Sequence, residues 1–449
     1  MSIASLHPSL AALAETFGDR VLTPGSSGFD ALAAPVFAGA PRVPAALVRP
    51  RTTAEVSGAV RAAREAGLPL VVRSGGHSYT RASLVDGGVV LDLRLMDEVR
   101  IDTEARTGHA QGGASAGAYT AAAAEHGLAT GFGDTGTVGI AGLTLGGGIG
   151  FLSRRDGLTL DNLLGAEVVL ADGEVVEAGP DEEPDLFWAL RGGGAGTGVV
   201  TRLDLRLAPT SEVVGGLLAW RAEPGVLSDV VAAVAAGPDE LSGMVNVMLA
   251  PPAPFLPGEL HGKPVVMALV CFSGAPGEAD GALAPLRAHT PVVDLVAPKP
   301  YPAMFEGGGP EVAGLRGAIA TGFVPVPGPE AAAVMIDAVG DADQPPAVVN
   351  LRVMGGAIAR VGAGETAFAH RDGAVMATVA GMTPDPGKEA GVRGWVSGTA
   401  ARVAVDRGPA YVNFLGGATP EDLARAYPGE TGRRLRAVRE RYGSLGTAV

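Results

Sequence analysis

Residues 68–79, LPLVVRSGGHSY, end a short apolar run in an arginine, two serines, paired glycines and a histidine. Glycine tolerates left-handed φ. A strand that stops at Gly75-Gly76 can therefore turn successive backbone N–H groups to one side and form a concave cradle for a pyrophosphate. Arg73, Ser74 and Ser78 flank that cradle, and His77 stands where a bound ligand would lie. A Gly-Gly turn beside a polar histidine is equally an ordinary surface turn, so the surrounding elements have to decide between the two.

Those elements alternate short β-rich runs, glycine turns and brief helices from about residue 40 to 208. Residues 54–66 read as an amphipathic helix leading into the strand at Leu70, and residues 89–93 as the next strand. An alanine-rich helix follows over 114–126, then a hairpin over 166–178 that turns at Asp172-Gly173. Two further glycine clusters follow, GLTLGGGIG at 142–150 and RGGGAGTG at 191–198. Three such loops in one region imply one large, extended ligand. None has the G-x-G-x-x-G context with a downstream acidic residue, and no Walker pattern occurs, which disfavours a nicotinamide cofactor.

Beyond Pro209 the strands lengthen, at 216–220, 265–272 and 348–354, between proline-rich connections. This reads as an antiparallel sheet with helices on one face, suited to a substrate. Residues 407–449 return to a strand, AYVNFL, followed by helices over 421–426 and 433–442, expected to fold back onto the first region. The expected class is α+β, divided as 1–208, 209–406 and 407–449.

At 449 residues, two domains with full cores are the natural outcome. The net charge of −14 comes without a basic stripe, which argues against nucleic acid and an anionic membrane surface. Residues 135–153 carry no charge before Arg154, but seven glycines there would ruin a lipid-exposed helix. The N-terminal segment lacks a signal-peptide pattern and reads as a short amphipathic helix, so a cytoplasmic location is expected. With Cys271 as the only cysteine, neither an intramolecular disulfide nor a multi-cysteine metal site can form. Its apolar neighbours predict a buried, inert thiol.

Taken in order, V-R-S-G-G-H-S, then G-x-x-x-T-V-G-x-x-G-x-x-L-G-G-G-x-G-x-L-x-R-x-x-G-L-x-x-D-N, D-L-F-W-A-L-R-G-G-G, G-V-V-T and a late Y-V-N-F resemble the FAD-linked oxidases of the vanillyl-alcohol oxidase / p-cresol methylhydroxylase superfamily, in the berberine-bridge-enzyme-like branch. GGAIARV at 355–361 and AFAHR at 367–371 extend the likeness over nearly the whole chain. The resemblance implies FAD bound covalently through its 8α-methyl to His77, with Arg73, Ser74, Gly75, Gly76 and Ser78 at the pyrophosphate. It implies a second loop, Thr135, Val138, Gly139, Gly142, Leu145, Gly146, Gly147, Gly148 and Gly150, along the ring and ribityl chain. Val199 beside Gly198 falls at the adenine side, and Tyr411 and Asn413 fall on a C-terminal strand closing over the flavin.

Two departures stand out. Many relatives form a second flavin bond from a cysteine where this chain has Thr135, so a single histidyl link with no cysteinyl link is expected. Relatives often place a carboxylate on the strand 348–354, whose flavin-facing residues here should be Asn350, Arg352 and Met354. None is a carboxylate. Either Arg352 stabilises an anionic substrate, or proton removal falls to Tyr411, to His370 or to another group.

The resemblance implies an oxidase that takes a hydride from a C–H next to oxygen or nitrogen of a mid-sized organic molecule, in bacterial secondary metabolism, and passes the electrons to molecular oxygen. Trp220, Tyr301, Phe305, Phe323 and Met354 are candidate wall residues, though each equally suits a core. A flavin-dependent cyclisation without net redox change, or a flavin-loaded binding protein lacking its base, remain alternatives. The sequence is silent on oligomeric state.

Overall fold

A computed structural model describes residues 7–210, 212–305, 314–342 and 346–445. Thr52 caps the helix Thr53–Glu65 by accepting the Glu55 amide, and the helix buries Val56, Ala59, Val60 and Ala63. This apolar face rests on three parallel strands, Ala46–Val48, Val89–Asp92 and Leu70–Arg73, with Val21–Leu22 added antiparallel at the far edge. Leu70–Arg73 is the other edge strand. The RSGGHS loop therefore leaves from the carboxyl end of a parallel strand, where α/β sheets open toward ligands.

A second, antiparallel sheet places Val99–Asp102, Thr107–Gln111, Val199–Arg206, Leu163–Val169 and Val175–Ala178 side by side. Its hairpin turns where expected, with Gly173 at φ +86°. Helices Ala116–Ala124 and Pro184–Leu190 pack on this sheet, together with Leu435, Val438 and Tyr442 of the C-terminal helix Gly429–Tyr442.

The third large sheet is antiparallel, with eight strands among the described residues. Helices Pro224–Ala236, Ala279–Arg287, Pro329–Gly340 and Glu389–Arg402 cover one face. The other face meets the glycine-loop half, where Phe151 and Leu152 pack with Met244, Cys271 and Tyr301. Arg154, 3% exposed, ties the halves by donating to the carbonyls of Leu241, Gly237 and Met354. Cys271 is fully buried, and burial pushes its thiol up to about 12, as an inert thiol requires.

Packing decides two expectations, Trp220 taking its core alternative and the late strand failing. Trp220 shares the helix-covered face with Leu218, so it fills the core and lines no cleft. The AYVNFL segment forms no strand; residues Val412–Phe414 make a 3₁₀ turn, with Phe414 and Leu415 amides closing onto the carbonyls of Tyr411 and Val412. Among the described residues no helix is long and apolar enough to cross a membrane, and no group of three or more His, Cys, Asp or Glu could hold a metal.

Candidate active site

The first glycine loop is built around a left-handed Gly76, φ +77°. Among the described residues, the amides of Gly75, Gly76, His77 and Ser78 donate to no protein acceptor. Four consecutive free amides turned by one left-handed glycine make an anion-binding nest. The hydroxyl of Ser74 anchors the loop to the carbonyl of Gly112 at 2.7 Å. Arg73 contradicts its expected role. It is 1% exposed, and its two Nη groups donate to the carbonyls of Leu32 and Ala33, so it fixes the base of the loop, and only its Nε, beside Gly76, is left without a partner among the described residues.

The second loop interlocks with the first. A Cβ on Gly75 would strike the backbone amide of Gly139, and one on Gly139 would strike Ser74 and the amide of Gly75. Only two glycines permit this backbone-to-backbone approach. The contact brings Thr137 to His77, whose Nε2 lies 3.1 Å from the Thr137 hydroxyl. Burial holds the half-buried imidazole below its ordinary pKa, with the Thr137 bond opposing, and Nδ1 makes no hydrogen bond among the described residues. A neutral imidazole with one nitrogen held and the other free is the arrangement that a bond to a ligand carbon needs.

Past Gly139 the chain forms the helix Ile140–Gly146. Gly142 is exposed, with nothing within 4 Å of a Cβ placed on it, while Leu145 is buried. The glycines that follow serve the protein. Added Cβ atoms would meet Asn413 at Gly146, Tyr411 at Gly147, Thr159 at Gly148 and the carbonyl of Phe132 at Gly150. In the third cluster the amides of Gly192 and Gly194 donate to the Leu145 carbonyl at 3.1 and 2.9 Å, so these two glycines face the second loop. The third cluster braces the second. Val199 is fully buried beside its strand partner Val169.

Tyr411 and Asn413 reach this loop from the 3₁₀ turn. The Tyr411 hydroxyl accepts from the Gly148 amide at 2.8 Å and from Asn413 Nδ2 at 3.0 Å, and Asn413 also donates to the Leu143 carbonyl. Burial pushes the phenol up from its ordinary value, and these donors partly offset it.

Asn350 and Arg352 lie on the strand Ala347–Val353, on the face away from the helices, whereas Val349, Leu351 and Val353 join the helix-covered core. The missing carboxylate arrives from the loop. Asp134, overlooked in the sequence, pairs with Arg352 Nη2 at 2.7 Å and accepts from Thr135 Oγ1 at 3.1 Å. Burial alone would raise this carboxyl, but the charge and hydrogen bond of Arg352 hold it below its ordinary value. Its position just before the T-G-T-V-G stretch was the available signal. Tyr79 was also missed. Its ring lies between Phe37 at 4.5 Å and Phe414 at 5.7 Å, and Phe414 stacks on Tyr411 beneath the Arg352 guanidinium. Met354 is buried with Ile149 and Tyr411.

His370 is a correction. Its Nε2 bonds the carbonyls of Arg425 and Ala426 at 3.0 and 3.1 Å, so that nitrogen carries hydrogen and holds the end of the helix Pro420–Ala426. It is committed to structure and takes no proton there. Asp161 of the D-N motif is likewise structural, a two-pronged partner of buried Arg371.

The residues present fit FAD: a nest of free amides for the diphosphate, an imidazole with a free nitrogen, and an open face at Gly142. An FAD binding domain family matches residues 44–179. The chain is 35% identical over 284 residues to (R)-6-hydroxynicotine oxidase of Paenarthrobacter nicotinovorans, a match covering 63% of this chain and 61% of that protein. Its fold superposes on 6-hydroxy-D-nicotine oxidase from Arthrobacter nicotinovorans with a TM-score of 0.85 at 29% identity, covering 94% of each chain. Against the Physcomitrella patens BBE-like 1 protein the TM-score is 0.84 at 25% identity, covering 97% of this chain and 96% of that one. Nest, interlocked loops and whole-chain superposition agree: the chain carries an FAD binding domain and is similar over nearly its whole length to FAD-linked oxidoreductases of the vanillyl-alcohol oxidase / p-cresol methylhydroxylase superfamily, among them a berberine-bridge-enzyme-like protein.

Proposed function

We propose that the protein is an FAD-dependent oxidase that removes a hydride from a C–H next to oxygen or nitrogen of a mid-sized organic substrate and delivers the electrons to molecular oxygen. The observation that supports this reading is the close approach of Gly75 to Gly139, which brings Thr137 to His77 on the same loop whose Asp134 pairs with Arg352. In this reading residues 1–208 and 407–449 hold FAD and residues 209–406 hold the substrate. When bound, the flavin supplies the hydride acceptor. His77 Nδ1, with Nε2 held by Thr137, would hold it covalently, and Thr135 offers no thiol for a second bond. The amides of Gly75 to Ser78 would hold its diphosphate, and Gly139 to Gly146 would flank its ring.

The proton lost by the substrate goes to Tyr411 Oη. Two N–H donors already point at that oxygen and stabilise a phenolate there. General-base help of this kind contributes roughly 10²–10⁴ in rate. Arg352, neutralised by Asp134, orients the substrate.

Acid precipitation of the purified protein tests the reading. Yellow colour should stay with the pellet, and His77→Ala should release it to the supernatant. Colour in the supernatant of the unaltered protein would overturn the covalent link, and a colourless protein would overturn the oxidase itself.

A further inference from the structure

The face of the large sheet turned away from its helices has a definite hydrogen-bond polarity. Strand register aligns Met267, Asn246, Asn350 and Thr378 in one row, directly beside the row of Met244, Arg352 and Met376. Side chains two apart share a face, and Val245, Val247, Val349 and Leu351 between them lie in the helix-covered core. The Thr378 hydroxyl is taken up by Met376 Sδ. The two asparagines are only partly buried and carry the remaining polarity.

Their orientation follows from Arg352, which can only donate. Arg352 Nη2 is held by Asp134 at 2.7 Å, and Nε donates to Asn350 Oδ1 at 3.1 Å. Asn350 must therefore present its Nδ2 on the other side, where it donates to Asn246 Oδ1 at 2.7 Å. Asn246 in turn has its acceptor occupied, and its Nδ2 makes no hydrogen bond among the described residues. A carboxylate thus fixes, through three side chains, a pair of N–H donors on Asn246, whose strand neighbours on this face include Met267 across the pair and Met248 two residues on.

We propose that Asn246 is a specificity-determining residue that selects substrates presenting an oxygen acceptor without a hydrogen, such as a ketone, quinone or phenolate oxygen, against those presenting a cationic N–H group. This rests on the reading that the sheet face is the substrate surface. A substrate ammonium would point its N–H groups at the two N–H donors of Asn246, whose Oδ1 already accepts from Asn350, whereas a carbonyl oxygen completes the chain.

The test uses two probes of one shape, acetophenone and 1-phenylethylamine, titrated calorimetrically at neutral pH into the unaltered protein after its flavin content has been read by absorbance. Acetophenone should bind at least about tenfold more tightly, the value of one well-placed hydrogen bond. Asn246→Asp, isosteric and acceptor-only, should invert the ratio. Asn246→Ser, whose hydroxyl donates or accepts, should bring it close to one and keeps the test open if the aspartate variant does not fold. A preference for the amine, a ratio unchanged in both variants, or no saturable heat from either probe overturns the proposal. A colourless protein that still prefers acetophenone would overturn the oxidase reading and leave Asn246 in its role.

Discussion

The Tyr411 hydroxyl sits 2.8 Å from the Gly148 amide, across 263 residues of sequence, and makes the C-terminal segment part of the second glycine loop. A Cβ on Gly147 would meet the same ring at 2.7 Å. Phenol and glycine loop therefore define each other's position.

Tyr411→Phe keeps the ring and leaves the Gly148 amide and Asn413 Nδ2 without their acceptor. The unfolding free energy should fall by about 1–3 kcal/mol in denaturant titration. The rate should fall by roughly 10²–10⁴. Because burial raises this phenol, the active phenolate grows with pH, so the rate of the unaltered enzyme should climb on the alkaline side and the variant's profile should lose that limb.

Two glycine-to-alanine changes in neighbouring loops should act oppositely. Gly75→Ala drives a Cβ into the Gly139 backbone and should abolish flavin uptake. Gly142 is helical with open space around it, so Gly142→Ala should stabilise the flavin-free protein by about 0.5–1 kcal/mol. If the ring lies along this face, the same methyl should weaken flavin retention, measured as flavin absorbance per protein after gel filtration.

Arg352→Met leaves Asp134 with no cation, and Asp134→Asn leaves Arg352 with a neutral partner. Asp134 is 29% exposed, so solvent screens the pair, and each single change should cost about 1–3 kcal/mol. The double variant should cost less than the sum of the two, a coupling read from four unfolding curves.

His370 and His77 both titrate below the ordinary imidazole value because burial penalises their charged forms. Below about pH 6.5 the unfolded chain takes up protons that the folded chain refuses, so stability is complete above that pH and falls as pH drops through it. His370→Gln keeps a donor to the carbonyls of Arg425 and Ala426 and removes the titration. Its stability should fall less steeply between pH 7 and 5, about the range over which imidazoles charge.

Much of the fold was written in local pattern. Apolar runs bounded by glycine turns predicted the strands at Leu70 and Val89, which the structure pairs in parallel, and the hairpin at Gly173, because a strand buried on both faces must be apolar and a tight turn needs left-handed backbone. The AYVNFL segment misled because it reads as a strand, yet its polar groups are spent on the second loop and on its own turn.

By itself the sequence determined the likeness to FAD-linked oxidases, the His77 loop and the face on which Asn350 and Arg352 stand, since each is carried by motifs of residues close together in the chain. Only the tertiary structure decided that Arg73 points into Leu32 and Ala33, that Gly192 and Gly194 brace Leu145, and that Asp134 completes Arg352 across 218 residues. Those pairings join segments that are unrelated in sequence, and what favours them is the cost of leaving a buried donor or charge unpartnered once the sheets have packed.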